Sequence, residues 1–389
     1  MKVNQIATIL NNVFTEITDG TGIITEDLSN IVDVGREITK NSTFDENFEN
    51  YVGKLIDHIG RVVYMDRAYT SQAPKILKDG WEYGSILEKV RCDVPDFQEN
   101  KEWELTEETV FDVFGFNPAD ADAKFFNKKT TFQIKISITK KQLKSAFNSA
   151  SDMNKFIAMI ENRIAMKMTL ATDALIMRTI VNLIAEKISD KTGVINLLDV
   201  YKTATGDSTL TAAKALTNKD FLRIASKTIM TYKKLMTIPS ALYNDGTYVT
   251  FTPEANLKAV FAADFDLALK TSLYADTYND EFVKLDGYSS VAFWQSPKSN
   301  ERLLINAKPA SKGGAGAAVE QDGIIAVLFD ERAAAVCNEE PDVRSIYNPE
   351  GNFYNYWYSF DASYMNDTVE NCVVFIIEDP SVDPSGGQG

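Results

Sequence analysis

The chain has 389 residues, of which 44% are hydrophobic and 24% are charged, a composition typical of a soluble globular protein with one elaborated domain or two to three smaller ones. Its net charge of -15 disfavours unassisted binding along a phosphate backbone, which requires clustered Lys and Arg side chains. The three cysteines are far apart in sequence and the single histidine is His58, so the sequence argues against zinc clusters, a disulfide framework and most histidine-assisted nucleophiles.

The first 50 residues predict a polar, partly helical arm, which continues through a further helix and strand to residue 71. Ile6, Ile9 and Leu10 recur at helical spacing. The segment lacks the apolar run and the small-residue cleavage site of a signal peptide. No window of the chain approaches the ~18 apolar residues that a membrane helix requires, so no membrane segment is expected.

Residues 72–138 separate their charges along the chain. Acidic side chains come first, with only Lys101 opposing them: Asp93, Asp96, Glu99, Glu102, Glu104, Glu107, Glu108, Asp112, Asp120 and Asp122. Lysines follow, with no acid before Asp152: Lys124, Lys128, Lys129, Lys135, Lys140, Lys141 and Lys144. Alternation of Phe132, Ile134, Ile136 and Ile138 with polar residues predicts a half-buried strand. The pattern fits an extended two-stranded loop. The charged side chains either face solvent or contact a neighbouring chain. The separation of acidic from basic residues along the segment favours the second possibility.

A long helix is predicted from about residue 152 to 187, because neither Pro nor Gly occurs between Pro118 and Gly193. Ser151 or Asp152 can cap it. Apolar residues then recur at steps of three or four, among them Ile157, Ile160, Ile164, Met168, Ala171 and Leu175. A helix of roughly 50 Å needs support along its length from a sheet or from other chains.

The next region predicts a compact α/β unit. A helix covers 217–235, with Thr217 as its cap, and a strand follows at 248–251. Thr252-Pro253 begins a helix that buries Leu257, Val260, Phe261, Phe265 and Ala268. Short strands are expected at 282–285, 291–294 and 303–305, a flexible turn at 311–318 and an apolar strand at 324–329.

The region from Arg344 to Ile377 is rich in aromatic residues and predicts a hairpin. The turn is Asn348-Pro349-Glu350-Gly351, with Pro and Gly at the positions favoured in a type I turn. The aromatic side chains are Tyr347, Phe353, Tyr354, Tyr356, Trp357, Tyr358, Phe360 and Tyr364. Consecutive strand residues point to opposite faces, so one face is expected to meet a helix and the other something outside the chain. A well-packed sheet edge is the alternative.

No residues predict chemistry. The Gly-rich turn at 311–318 lacks the Gly-Lys-Ser/Thr of a phosphate-binding loop. Asp120-x-Asp122 and Asp264-x-Asp266 lack the spacing of an EF-hand, and Asp266 is placed on the outer face of its predicted helix. We therefore predict no catalytic, cofactor-binding or metal-binding residues.

Four segments in this order resemble the major capsid protein of tailed double-stranded-DNA bacteriophages, the Hong Kong 97 type of fold, and most closely the coat proteins of small short-tailed phages of Gram-positive hosts. The segments are HIGRVVYMDRAYTSQAPKILKDGWEYGSILEKV (58–90), KKQLKSAF (140–147), FVKLDGYSSVAFW (282–294) and RSIYNPEGNFYNYWY (344–358). The resemblance covers most of the chain at low identity, and no short motif is diagnostic by itself. A C-terminal immunoglobulin-like domain of some relatives has no counterpart.

The resemblance implies an α+β fold divided as follows: an N-terminal arm (1–71), an E-loop lying over an adjacent subunit (72–138), a peripheral domain with the spine helix (139–224), an axial domain (225–335), return strands of the peripheral domain (336–378) and a flexible tail (379–389). It implies a structural subunit that assembles into hexamers and pentamers of an icosahedral shell. The alternatives are an encapsulin-like compartment and, from another class, a soluble enzyme with buried carboxylates.

The expected partners are other copies of the chain, with scaffolding and portal proteins, packaged double-stranded DNA by proximity only, and no membrane. The expected location is the virion, after synthesis in the host bacterial cytoplasm. The residues expected to contact neighbouring subunits are Glu102, Glu104, Glu107, Glu108, Lys124, Lys128, Lys129, Lys135, Tyr354, Tyr356 and Trp357.

Overall fold

The computed structural model describes residues 7, 10, 11, 24, 25, 27–32, 74, 76, 87–92, 121–146, 148–271, 288–309, 316–338 and 342–379. Its helices are α1 (Lys140–Ala146), α2 (Ala150–Asp190), α3 (Leu197–Thr205), α4 (Ala212–Ala215), α5 (Lys219–Leu235) and α6 (Ala263–Leu269). Its strands are β1 (Leu87–Cys92), β2 (Ala121–Phe126), β3 (Lys129–Thr139), β4 (Val194–Asn196), β5 (Leu257–Ala262), β6 (Tyr288–Val291), β7 (Ile305–Ala307), β8 (Val319–Gln321), β9 (Ile324–Asp330), β10 (Ala334–Asn338), β11 (Asp342–Asn348), β12 (Phe353–Asn366) and β13 (Cys372–Ile376).

Helix α2 is the spine of the fold and has 41 residues. Its cap is Ser149, not Ser151 or Asp152 as predicted. The Asp152 backbone N–H donates to Ser149 Oγ at 3.1 Å, and Ser149 Oγ donates to the Asp152 carboxylate at 2.9 Å. Ser149 is therefore the N-cap residue, which places both predicted caps inside the helix.

The first half of α2 packs under a four-stranded sheet. Strand β12 is central: β3 pairs with one of its edges, and β11 and β10 pair in succession with the other. The predicted alternation of β3 is confirmed, because Ile134, Ile136 and Ile138 are buried while the intervening residues are exposed. They share a core with Ile157 and Ile160 of α2. Sheet and helix thus cover each other's apolar faces.

The second half of α2 packs against a five-stranded sheet with the order β4-β13-β9-β5-β6. The apolar strand predicted at 324–329 is confirmed as β9, which is buried along its whole length. Helices α3, α5 and α6 supply the core on the other face. A sheet covered on both faces needs apolar residues at successive positions, which explains why β9 and β13 lack alternation.

The region from 217 to 269 departs from the predictions. Helix α5 begins one residue after Asn218, whose side chain accepts from the Phe221 N–H, so Thr217 is not its cap. Residues 248–251 form no strand and contribute only the isolated bridge of Thr250 to Ser240. The helix predicted from Thr252 is instead a short 3-10 turn followed by strand β5 and then α6.

Strand β3 is the last element of the segment predicted as an extended loop (72–138), and it pairs with β12 over its full length. Strands β1 and β2 of the same segment pair with each other. Strand β13 joins the five-stranded sheet, so the predicted return strands at 336–378 divide between the two sheets.

Within the described residues, one helix is long and apolar enough to cross a membrane by length and composition, namely Ser151–Asp190. The sequence prediction of no such window was therefore too strict. More than half of its apolar window, 56%, is buried inside the fold. This burial is typical of a core helix that two sheets cover.

Candidate subunit interface

Strands β1 and β2 form a two-stranded antiparallel ribbon that precedes the four-stranded sheet. Lys89 lies opposite Lys124, and Val90 lies opposite Ala123. Because side chains alternate along a strand, Lys89, Arg91 and Lys124 share one face of this ribbon. Val90 and Phe125 lie on the other face, which we call the outer face of the ribbon.

The basic face of the ribbon rests on two carboxylates of its own chain, in the connector between β12 and β13. Lys89 Nζ lies 2.9 Å from Asp367 and 3.3 Å from Glu370. Arg91 contacts both carboxylates, at 2.8 Å for Glu370, and Lys124 Nζ lies 3.1 Å from Asp367. We call these five residues the stem clamp.

Asp367 is the centre of the stem clamp, and its side chain is fully buried. Burial acts to raise the pKa of the Asp367 carboxyl, but the charges of Lys89, Lys124 and Arg91 outweigh it and hold the pKa below its usual value. The carboxylate therefore stays ionised at neutral pH. Three cations around one buried anion fix where the ribbon leaves the body.

The outer face of the ribbon carries two exposed large apolar side chains. Val90 is 68% exposed and Phe125 is 61% exposed. Glu88 is opposite Phe125 and is exposed beside it. Large apolar side chains grouped on one face of a ribbon are typical of a surface that a partner covers.

Of the four predicted lysine contacts, the structure places Lys124 in the stem clamp, so its ammonium group is used within its own chain. Lys128 and Lys129 are exposed where β2 passes into β3, and the Lys128 carbonyl accepts from the Tyr364 N–H at 3.1 Å. Lys135 is exposed on the outer face of the four-stranded sheet. The predicted acidic contacts, Glu102, Glu104, Glu107 and Glu108, lie outside the described residues.

Strand β12 sorts its aromatic side chains by alternation. Tyr354, Tyr356, Tyr358 and Phe360 are each only 1% exposed and pack in the core beside α2. Tyr354 and Tyr356 were expected at a subunit contact, but the structure places them inside the chain because the α2 face of the sheet takes every second residue. Trp357 points the other way and is only half-buried.

Trp357 lies in a row across the outer face of the four-stranded sheet. Its cross-strand partners are Lys135 on β3 and Arg344 on β11. Directly paired residues have side chains close enough to interact, so the indole lies between two basic side chains. Ile346, 56% exposed, is on the same face in the next row. This face of the sheet is a second surface suited to a partner.

Sequence reasoning missed the acidic half of the stem clamp. Asp367 and Glu370 lie about 240–280 positions from their basic partners, and no local pattern distinguishes them from other surface acids. The only sequence signal for the stem clamp was the spacing of Lys89 and Arg91, which places two basic side chains on one face of a short strand.

The carboxylates of Asp264-x-Asp266 make structural contacts. Asp264 receives two hydrogen bonds from Arg302, at 2.8 and 3.0 Å. Asp266 is buried, not on an outer helix face as predicted, and accepts from Tyr288 and Lys270. Within the described ranges, no three His, Cys, Asp or Glu side chains group as metal ligands would.

Comparison with known proteins identifies this architecture. The family model of the Phi29-like phage major capsid protein matches residues 6–376. No curated protein sequence matches the chain. A chain in the capsid structure of Staphylococcus phage Andhra is similar, with 11% identity and a TM-score of 0.53 over 79% of this chain and 85% of that chain.

A second similar chain comes from a structure of the head fiber and inner core protein gp22 of native bacteriophage P68. It has 13% identity and a TM-score of 0.48, with 77% of this chain and 83% of that chain covered. At these identities, the Andhra likeness supports the fold alone. The family model carries the assignment of function.

Proposed function

This chain belongs to the family of Phi29-like phage major capsid proteins, and we propose that it builds its shell by laying the outer face of the ribbon on an adjacent copy. It is a structural subunit of an icosahedral phage shell and a component of the virion, and it is not an enzyme. The proposal concerns which surfaces join the copies.

The exposed apolar pair on the ribbon carries this proposal. Val90 and Phe125 are more than half exposed, whereas the opposite face of the same ribbon is fixed by the stem clamp. Burying both side chains on a neighbour would contribute roughly 1.5–3 kcal/mol each. In a closed ring of copies every subunit gives and receives this contact, so modest contacts accumulate around the ring.

The stem clamp supports the same function from inside the chain. A projecting ribbon must leave the body in one direction if it is to meet a neighbour at a fixed place. The buried Asp367 with three basic partners supplies that constraint. The basic face of the ribbon is thus bound to its own chain, while the outer face of the ribbon remains accessible to another copy.

The proposed domains follow the two sheets. The four-stranded sheet with the first half of α2 corresponds to the peripheral domain, and the five-stranded sheet with α3, α5 and α6 corresponds to the axial domain. We assign residues 72–128 to the E-loop, which ends before β3. Hexamers and pentamers, scaffolding and portal partners, double-stranded DNA held by proximity and synthesis in the host cytoplasm belong to the same proposal.

Negative-stain microscopy of purified protein tests the ribbon contact. We expect shells from the unchanged chain and few or none from Val90→Ser/Phe125→Ser, with circular dichroism and thermal melting unchanged because both side chains face outward. Leu267→Ser, which removes another side chain that is 56% exposed, is the matched control. Normal shells from the double variant would contradict the proposed contact.

The encapsulin-like alternative predicts a protein cargo. Particles that copurify with an enzyme in place of nucleic acid would favour it. The family assignment favours a phage shell, so DNA is the expected content.

A further inference from the structure

Helix α5 carries a basic outer face in an acidic protein. Its 17 residues include five basic side chains and one acid, although the whole chain has a net charge of -15. Lys227 and Lys234 are exposed on this face, with Met230, 41% exposed, between them. Lys233 is turned aside and pairs with Glu254 at 3.1 Å.

The C-terminal part of α5 and the loop that follows it expose large apolar side chains. Exposed large hydrophobic residues are concentrated between 230 and 251, where they are Met230, Leu235, Ile238, Leu242, Val249 and Phe251. We call this apolar group, together with the basic face of α5, the α5 patch. Exposed apolar side chains beside basic ones suit a protein segment better than a phosphate backbone, which offers nothing to the apolar side chains.

The loop that carries the α5 patch is fixed from below. Thr250 Oγ1 donates to Asn371 Oδ1 at 3.0 Å, and Asn371 Nδ2 donates to Thr252 Oγ1 at 3.3 Å. Alternation then directs Val249 and Phe251 outward. The backbone that carries Val249 and Phe251 is therefore held by side-chain hydrogen bonds, which lowers the ordering cost of binding a partner there.

The same connector holds the ribbon and the loop. Asp367 in the connector binds the ribbon, Asn371 binds the loop, and Thr368 Oγ1 donates to Asp245 at 3.2 Å. The α5 patch is thus fixed to the element from which the ribbon projects.

The sequence between β1 and β2 has the complementary chemistry. Residues 93–112 contain eight acids and a single basic residue, Lys101. Aromatic and aliphatic residues are interleaved with the acids, among them Phe97, Trp103, Leu105 and Phe111. Acidic and apolar side chains complement a patch that carries both basic and apolar side chains.

We propose that the α5 patch is the docking surface for the acidic and apolar segment 93–112 of a second copy of this chain. The inference rests on the proposed function, in which the ribbon reaches an adjacent copy. A contact between two different surfaces of identical chains forms a ring when the rotation between copies closes, and the basic patch and acidic segment are such a pair of surfaces. To the proposed function, this inference adds the surface of the adjacent copy that receives the segment and the charged residues that align the two.

Charge reversal in two variants tests the pairing. Variant A carries Lys227→Glu/Lys234→Glu, and variant B carries Glu104→Lys/Glu108→Lys. Each alone sets like charges against each other between copies, so we expect about tenfold fewer particles by sedimentation and microscopy. The control, Lys167→Glu/Lys214→Glu, makes the same charge change at exposed lysines of α2 and α4 and should assemble as the unchanged chain does.

Mixing the variants separates contacts between copies from contacts within one copy. When A and B are co-expressed, each patch can meet an oppositely charged segment on its neighbour, so particles should return. A single chain with all four substitutions should assemble as well. Recovery in the four-substitution chain without recovery in the mixture would place the segment on its own patch and overturn the proposal.

Three further outcomes are informative. If A and B each assemble as the control does, the α5 patch is not the docking surface, and the proposed shell function stands. Normal assembly of A with reduced DNA content would assign the patch to nucleic acid and overturn the proposal. If neither the unchanged chain nor the control assembles, the proposed shell contacts fail first.

Cross-linking tests the pairing even if neither the unchanged chain nor the control forms particles. Zero-length carbodiimide cross-linking is applied to a mixture of 14N and 15N chains and read by mass spectrometry. The proposal expects heavy–light peptides that join Lys227 or Lys234 to acids within 93–112. Only light–light and heavy–heavy peptides, or none at all, would overturn it.

Discussion

Lys89 Nζ lies 2.9 Å from Asp367 Oδ2, although the two residues are 278 positions apart in the chain. The contact joins the stem of the ribbon to the connector between β12 and β13, and the same ammonium group donates to the Arg332 carbonyl at 2.9 Å. It fixes a projecting element by charge instead of by apolar packing. The direction of the ribbon therefore depends on the ionisation of one buried carboxylate.

Replacing Asp367 by Asn should destabilise the stem strongly. The change leaves Lys89, Arg91 and Lys124 beside a neutral amide in a largely desolvated site, and breaking a buried pair costs about 3–5 kcal/mol. Urea denaturation measures the loss in the free energy of unfolding. Faster proteolysis between β1 and β2 would show that the loss affects the ribbon. Asp342→Asn breaks an exposed pair with Arg344 and should cost about 1 kcal/mol or less. Equal effects of the two variants would contradict the clamp.

The stem clamp should also make stability depend on pH in acid. The pKa of Asp367 is held below its usual value of 3.8 in the folded chain. Its stabilisation is therefore complete above the unfolded value and is lost as the pH falls below 3.8 through the folded pKa. The free-energy difference between the unchanged chain and Asp367→Asn should be constant from pH 5 to 8 and should shrink below pH 4. A difference that does not change in acid would show that the charge of Asp367 is not responsible.

A buried lysine predicts a second rise of stability with pH, at alkaline values. Lys187 is 1% exposed, donates to the Tyr243 carbonyl at 3.1 Å, and burial lowers its pKa from 10.5. Burying the charged ammonium group of Lys187 costs the folded state free energy. This cost disappears as the pH approaches the pKa of the lysine in the unfolded chain. Relative to the unchanged chain, Lys187→Met should be most favourable at neutral pH and lose that advantage towards pH 10.5. Thermal melting across pH 6–10 measures this trend.

Cys372 should limit stability in alkali. Burial raises the pKa of its thiol from 9.0 to about 12. The folded chain keeps a proton that the unfolded chain releases, so stability is lost as the pH rises from 9 towards 12. Cys372→Ala should remove this loss while lowering stability at neutral pH, because the side chain is fully buried. The same alkaline loss in both proteins would contradict the assignment.

Neighbouring aromatic residues of β12 should separate folding from assembly. Tyr358→Ala removes a side chain that is 1% exposed in the core beside α2 and should cost about 3–5 kcal/mol. Trp357→Ala removes a half-buried ring on the opposite face, so it should reduce stability less and shell formation more. Denaturation and particle counts of both variants decide this. Equal losses of stability would contradict the separation of faces.

Lys128 and Lys129 test the predicted contact of basic residues with a neighbour. Both are exposed at the start of β3. Reversing both to Glu should impair shell formation while the monomer remains folded, because both side chains lie on the surface. Normal shells from this variant would argue against a subunit contact at these positions.

The sequence by itself determined the elements whose pattern is local. Alternation specified β3, the absence of Pro and Gly specified the spine helix, and the turn at 348–351 specified the hairpin between β11 and β12. In each case the sequence pattern lies within the element that it predicts, so no distant residue is needed to recognise it. The division of aromatic side chains between two faces follows from the same alternation.

Tertiary structure decided the rest, because the forces involved act between distant parts of the chain. Leu257–Ala262 has apolar spacing that fits a helix, yet it is a strand because β9 and β6 supply hydrogen bonds on both edges. Which face of β12 is buried depends on the position of α2. Asp367 became the anchor of the ribbon only when folding brought three basic side chains to it, and no local pattern records an encounter across more than 240 residues.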